Sequence, residues 1–314
     1  MNFVNGQGII FMMHRVLNSN NNIYSPNKDL AVNSSMLEKF IIEALEKKYT
    51  FVSINKLIKD LAFSKKEKQI CFTLDDGYLD NFQLAYPIFK KYNVPFTIYI
   101  TTSFPDQKGY LWWLALEEFV NKENISTSNI NNQIFLQNKK LEKFNNLRNL
   151  IMENQELYFK NGFENLFKKS SIDWKKMQLD NMLKWKHIKQ LSKDNLCTIG
   201  AHTINHYKLS SLNLHKLKQE ILGSKIRIES FIKKEVVHFS YPFGGRGEAG
   251  TREFNVVKDL GFKSATTTRW GNIFKRHKNF LYCLPRIPLT NSFTWEDYQK
   301  KAWKRFFKGP FVTL

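Results

Sequence analysis

The sequence predicts an α/β protein whose parallel strands close into a barrel, and three observations predict it. Short apolar runs recur along the chain and stop abruptly at polar residues, as strands buried on both faces do. Between them lie stretches with apolar residues at helical spacing; such alternation of strand and helix argues for parallel pairing. The 314 residues, 42% of them hydrophobic, supply one large core, and single α/β barrels of this size are ordinary.

In chain order, Gly8 to Met13 is the first predicted strand and delivers His14 at its end. Asn18 to Asn33 reads as a polar loop around Pro26. Ser34 and Ser35 then cap a helix from about Met36 to Lys47, with Leu37, Phe40, Ile41 and Leu45 as its apolar stripe. Thr50 to Val52 is short and extended, and Ser53 caps a helix to about Ala62. Ile70 to Leu74 is a core strand that stops at Asp75, Asp76 and Gly77. A helix over about Asp80 to Tyr92 and a strand over Pro95 to Thr101 follow.

The rhythm breaks over about 106–181, an insertion that opens with Gly109-Tyr110-Leu111-Trp112-Trp113, turns Asn-rich, and shows helical patterns at about 140–155 and 174–192. The strand Leu196 to Ala201 then ends on His202 and His206. A long amphipathic helix follows, with Leu214, Leu217, Ile221, Ile226, Ile228 and Phe231 among its apolar positions. Val236 to Tyr241 is a strand running into Pro242-Phe243-Gly244-Gly245, a turn that brings backbone amides close to the barrel mouth. A helix over 251–260, a strand over Lys263 to Thr267, a basic loop over Arg269 to Asn279 and the stretch Leu284-Pro285-Arg286-Ile287 complete the pattern. In that loop His277 has no partner at ligand spacing and reads as a surface residue.

Two of the strand ends carry chemistry. Asp75 and Asp76 set two anions side by side, which need a cation unless Asp-Gly only forms a turn. His202 and His206 stand four apart, on one face of a helical turn if the chain coils there. Two neutral imidazoles with one carboxylate make a three-ligand site for zinc or a neighbouring metal, with positions left open for water and substrate. A histidine pair alone is as readily capping or core material, but both sets leave strands directly and can converge at one mouth.

Composition excludes some classes. The formal net charge of +20, from 48 basic and 28 acidic residues, would suit nucleic acid, an anionic membrane or a phosphate-bearing substrate. Asn and Lys are abundant throughout, however, and no zinc finger or RNA-recognition core is present, so no nucleic-acid partner is expected. Cys71, Cys197 and Cys283 lack ligand spacing and read as reduced, buried thiols of a cytosolic protein. The longest apolar runs are far short of a membrane span, and the N-terminus lacks a basic leader and a cleavage site. A cytoplasmic setting is the expectation.

These motifs resemble the polysaccharide deacetylases with a NodB-homology domain. Thr73-Leu74-Asp75-Asp76-Gly77 matches the family's first motif, His202-Thr203-Ile204-Asn205-His206 its second and Ser240-Tyr241-Pro242-Phe243-Gly244 its third. Met13-His14-Arg15-Val16 is similar to the first-strand signature of the branch that includes the poly-N-acetylglucosamine deacetylases. The resemblance covers roughly residues 8 to 104 and 182 to 290. It implies a distorted (β/α) barrel of the NodB-homology type over 1–290, interrupted by the insertion and followed by a basic aromatic tail over 291–314.

The resemblance also implies roles. Asp76, His202 and His206 would bind a divalent metal, zinc first among them, with Asp75 as general base. Phe243, with Tyr241 beside it, would contribute at the substrate and oxyanion position, and His14 would be the acid for the leaving amine unless it is only a satisfied strand-end residue. The chain departs from the pattern at Ser240, where the family places an arginine that orients the base; Arg286 is the candidate to reach in instead. The implied activity is N-deacetylation of an amino sugar in a glycan or in its lipid- or nucleotide-linked precursor. The alternatives are a carbohydrate-binding barrel that has lost catalysis and a hydrolase of another amide or ester. Trp112 and Trp113 then either stack on a sugar ring or fill a core, and the insertion is either a solvated excursion or a lid. The tail, with Trp295, Tyr298, Ala302 and Phe306 at helical spacing among lysines and arginines, either lies in an anionic membrane surface, making peripheral contact at its inner face, or packs as the last helix.

Overall fold

A computed structural model describes residues 6–18, 26–63, 68–122, 130–168 and 172–301. Seven parallel strands close into a barrel: β1 (Gly8–Met13), β5 (Gln69–Leu74), β6 (Phe96–Ile100), β7 (Cys197–Ala201), β8 (His238–Ser240), β9 (Ser264–Trp270) and β10 (Leu284–Pro288), with β1 pairing both β5 and β10. Two-residue β4 (Thr50–Phe51) extends the sheet at the start of β5, where it pairs Gln69 and Ile70; β6 takes over that edge from Phe72 onward. The expected (β/α) barrel of the NodB-homology type is the observed fold.

The strands are apolar on both faces for different reasons. Ile9, Phe11 and Met13 of β1, with Ile70, Phe72 and Leu74 of β5, face the surrounding helices in the main core, while Ile10, Cys71 and Tyr99 belong to a smaller cluster with the helix Ile54–Phe63. This is the alternation of period two that a pleated strand imposes. Main-core packing also defines the helix Ser34–Glu46, which buries Leu37, Phe40, Ile41 and Ala44. Leu45, expected in that stripe, is 45% exposed because Ala44 takes the inward position. In the long helix Leu214–Ile232 the inward face is likewise Leu217, Ile221, Ile228 and Ile232, and Leu214 and Ile226 point outward.

Three further expectations are corrected. The polar loop expected over Asn18 to Asn33 ends in a short strand, β3 (Ala31–Asn33), which pairs with β2 (Arg15–Leu17) just before the loop. The pattern at 174–192 is two helices, Trp174–Asn181 and Trp185–Leu191, because Leu183 N–H donates to Gly77 O at 2.9 Å and Met182 bridges to Tyr78. His277 is fully buried: its Nδ1 accepts from Phe274 N–H at 2.8 Å inside the 3-10 turn Lys275–Asn279.

The insertion has its own core of Leu111, Trp112, Trp113, Leu116, Phe144, Ile151, Phe163 and Phe167, built mainly on the helices Trp112–Asn121, Ile130–Glu153 and the helical run 155–167. It is therefore packed material rather than a solvated excursion. At the other end of the chain, the helix Trp295–Lys300 buries Trp295 and Tyr298 in the main core, and the Trp295 ring stacks on Phe40 at 5.1 Å. Ala302, Phe306 and the tail's later basic residues lie outside the described residues. Among the described residues no helix is long and apolar enough to cross a membrane.

Candidate active site

Strand register brings the motifs together. Met13 pairs with Leu74, so His14 and Asp75 leave adjacent strands at the same level, and Asp75 N–H donates to Met13 O at 3.0 Å. Ile100 pairs with Ala201, so His202 emerges at that level too. His14, Asp75, Asp76, His202, His206 and Phe243 line one open cavity of ≈ 450 Å³. The insertion closes one side of it with Trp112, Trp113, Phe144 and Arg148.

Asp75 is fully engaged. Arg286, with no exposed surface, forks onto it: Nη1 donates to Oδ1 at 2.8 Å and Nη2 to Oδ2 at 2.7 Å. Thr73, Ser240 and Thr267 take the remaining donors of the guanidinium, at 3.1, 3.1 and 2.8 Å. Ser240 Oγ also donates to Asp75 Oδ2 at 3.3 Å. Burial alone would push the Asp75 carboxyl up, but the charge and hydrogen bonds of Arg286 outweigh it and hold the group below the usual carboxylate value.

Asp76 is engaged in the opposite way. His202 Nε2 and His206 Nε2 stand 3.3 and 3.2 Å from its Oδ1, yet this buried oxygen has no hydrogen-bond partner. His202 Nδ1 lies 2.7 Å from the Ser240 carbonyl, so that nitrogen carries the proton and Nε2 presents a lone pair to Asp76. Burial pushes the His206 imidazole towards its neutral form against the pull of Asp76. Three donor atoms within 4.8 Å of one another, one from each residue, fit a divalent cation with two nitrogens and one oxygen.

The histidines do not share a helical turn. Residues 202–206 form an irregular loop in which Thr203 and His206 have φ of +68° and +60°. Spacing of four is common to a helical turn and to such a loop, so periodicity alone could not separate them. Asp76 and Phe243 also have positive φ, +73° and +60°, so four of the eight non-glycine residues of this kind among the described residues sit at the mouth. Backbone strain of this sort concentrates at functional sites.

Phe243 N–H makes no hydrogen bond among the described residues and borders the cavity. Tyr241 is placed elsewhere: its hydroxyl donates to Tyr282 O at 2.9 Å, its N–H donates to Thr266 O, and the residue is fully buried outside the cavity lining. The aromatic wall is better defined than the sequence allowed. Trp113 lies 5.0 Å from the His206 ring, and its Nε1 donates to Tyr78 Oη at 2.7 Å, so this side chain both packs and faces the site.

Sequence reasoning missed Glu220. Its carboxylate accepts from Ile204 N–H and Asn205 N–H at 3.0 and 2.9 Å and from Asn205 Nδ2 at 2.7 Å. The signal was an acid on the inward face of an amphipathic helix, between Leu217 and Ile221.

The fold and the mouth together define an α/β barrel with a candidate two-histidine, one-carboxylate metal centre beside an arginine-held carboxylate. The chain belongs to the polysaccharide deacetylase family, whose family model matches residues 63–265. It is 30% identical over 89 residues to the Bacillus subtilis (strain 168) protein YxkH, whose name is that of a polysaccharide deacetylase; the match spans 28% of this chain and 30% of that protein. The fold is shared with Streptococcus pyogenes deacetylase PplD, solved in complex with acetate, at a TM-score of 0.59 and 17% identity over 93% of this chain and 96% of that one. IcaB from Ammonifex degensii is similar at a TM-score of 0.55 and 15% identity, over 96% and 97% of the two chains.

Proposed function

We propose that this protein is a metal-dependent N-deacetylase that hydrolyses the acetamido group of an N-acetylated amino sugar, in a polysaccharide or in its lipid- or nucleotide-linked precursor. The observation that carries the reading is the pair of neighbouring carboxylates, one forked by Arg286 and one facing two imidazole lone pairs, in a single cavity with His14. Asp76, His202 and His206 would hold the metal, zinc first among the candidates, which when bound would acidify a water and polarise the amide carbonyl.

The remaining roles belong to the chain. Asp75, kept ionised by Arg286, takes the proton from the attacking water as the new C–O bond forms. Phe243 N–H is free to donate to the developing oxyanion. His14, which lines the same cavity as Asp75, gives a proton to the nitrogen as the C–N bond breaks, which releases acetate and leaves a free amine. Arg286 acts through Asp75 and is a positioning residue. Its fork onto Asp75 stands in for the arginine that Ser240 replaces in the third motif, which supports a catalytic barrel over one that only binds carbohydrate.

The test is acetate release from N-acetylated glucosamine oligomers and sugar-nucleotide or lipid-linked analogues, by chelator-treated protein before and after zinc is restored. Zinc-dependent acetate release supports the reading. Release of a different acyl group, with no acetate from any of these, would move the protein to another amide or ester hydrolase.

A further inference from the structure

We infer that Glu220 is a positioning residue for the candidate metal centre, because its carboxylate holds the loop that aims His202 and His206 at Asp76. The inference rests on the metal-site reading above. The loop is not a conformation its residues prefer, since Thr203 and His206 both sit at positive φ, a region that costs an ordinary residue about 1–2 kcal/mol. Something outside the loop has to hold it.

Most of its backbone polar groups can be traced to a partner. His202 N–H donates to Ile100 O at 2.9 Å, and His202 O accepts from Thr101 Oγ1 at 2.9 Å. Thr203 O and Ile204 O accept from Thr102 N–H and Ser103 N–H at 3.2 and 2.9 Å, and His206 N–H donates to Thr203 Oγ1 at 3.0 Å. The two amides between the histidines, Ile204 and Asn205, both donate to Glu220 Oε2. Glu220 Oε1 takes the Asn205 side chain.

A second contact fixes the same helix against the same loop. Gly223, three residues on and on the same helix face, faces Ile204: a Cβ there would lie 2.6 Å from Ile204 Cδ1. Glu220 is 3% exposed, so water does not readily replace it as the acceptor. Without it, the amides of two half-buried residues would lose their acceptor, and the loop would be free to relax towards ordinary φ values, turning both imidazoles away from Asp76.

Three variants test this. Glu220→Leu keeps the volume and removes the acceptor. Glu220→Asp keeps the charge and withdraws it by one carbon–carbon bond, about 1.5 Å. Glu220→Gln keeps an acceptor oxygen for both amides, while the Asn205 amide can turn to present its oxygen to the new NH₂. Zinc affinity is read by chelator competition, ligand geometry by the visible absorption of the cobalt-substituted protein, and loop order by hydrogen exchange over residues 203–206. The expected result is zinc binding weakened by about 10–100-fold in Glu220→Leu and Glu220→Asp, the range for outer-shell partners of metal ligands. Altered cobalt bands and faster exchange at Ile204 and Asn205 should accompany it, and Glu220→Gln should stay near wild type. If Glu220→Leu does not fold, Glu220→Asp carries the test. Wild-type zinc binding with Leu or Asp variants indistinguishable in affinity, spectrum and exchange would overturn the role of Glu220 alone. A wild-type protein that binds no zinc would overturn the metal-site reading and this inference with it.

Discussion

Asp75 and Asp76 are adjacent in sequence and equally buried, yet the protein treats them in opposite ways. Asp75 has its charge matched by a forked arginine and a serine hydroxyl. Asp76 is left with an oxygen that faces two imidazole nitrogens and has no hydrogen bond. Ser240 touches both arrangements, through its hydroxyl on the first and its carbonyl on His202. The difference teaches that one carboxylate is completed by the fold, whereas the other is left open beside two imidazoles as a candidate ligand site. Buried charges need partners, and an incomplete set is a candidate binding site.

The largest break in this comparison comes from removing the partner on the completed side. Arg286→Met should destabilise the fold by about 3–5 kcal/mol, because it leaves Asp75 buried and uncompensated. Asp76→Asn, on the incomplete side, should leave the stability of the metal-free protein nearly unchanged. Chemical denaturation of the two variants in chelator checks both; equal losses would erase the contrast. A sharper form concerns turnover. Asp75→Asn should lower kcat by about 10²–10⁴-fold, as the loss of a general base does, and should retain zinc.

How far the sequence reached depends on the kind of signal. Strand ends were legible because a buried parallel strand is an apolar run with a sharp polar stop, and Asp75, Asp76 and His202 sit at such stops. The way His206 returns to Asp76 was not legible, since it depends on left-handed backbone at Thr203 and His206 that no residue type announces. Arg286 was a guess from a strand fragment, and only closure of β10 onto β1 and β9 carries it under Asp75. Tyr241 lies just past β8 with its hydroxyl bonded to Tyr282 O, away from the cavity lining, and His277 was misplaced because burial in a 3-10 turn leaves no periodic pattern.

A smaller effect lies far from the mouth. His238 is buried on β8 with Nδ1 at 2.9 Å from Ser264 Oγ and Nε2 at 2.9 Å from Asn55 Oδ1, and burial pushes its pKa down from 6.5 to about 4. The unfolded chain therefore binds a proton on this residue between those pH values while the folded chain does not. Stability from this group is complete above pH 6.5, falls by roughly 3 kcal/mol in total as the pH drops to about 4, and then levels off. Denaturation of wild type and His238→Asn across that range should give converging curves as the pH falls; parallel curves would contradict the assignment. The smallest effect is on the cysteines. All three are buried, with Cys71 and Cys283 pushed up to about 12 and 11, so alkylation of the native protein at pH 8 should modify none of them until it is unfolded.

The division between the two carboxylates is tested most directly by titrating zinc calorimetrically into chelator-stripped wild type, Asp75→Asn and Asp76→Asn. One zinc site in wild type and in Asp75→Asn, and its loss in Asp76→Asn, is the predicted result. Zinc retained by Asp76→Asn, or lost from Asp75→Asn, would show that the ligand is held by the other carboxylate and would contradict the account.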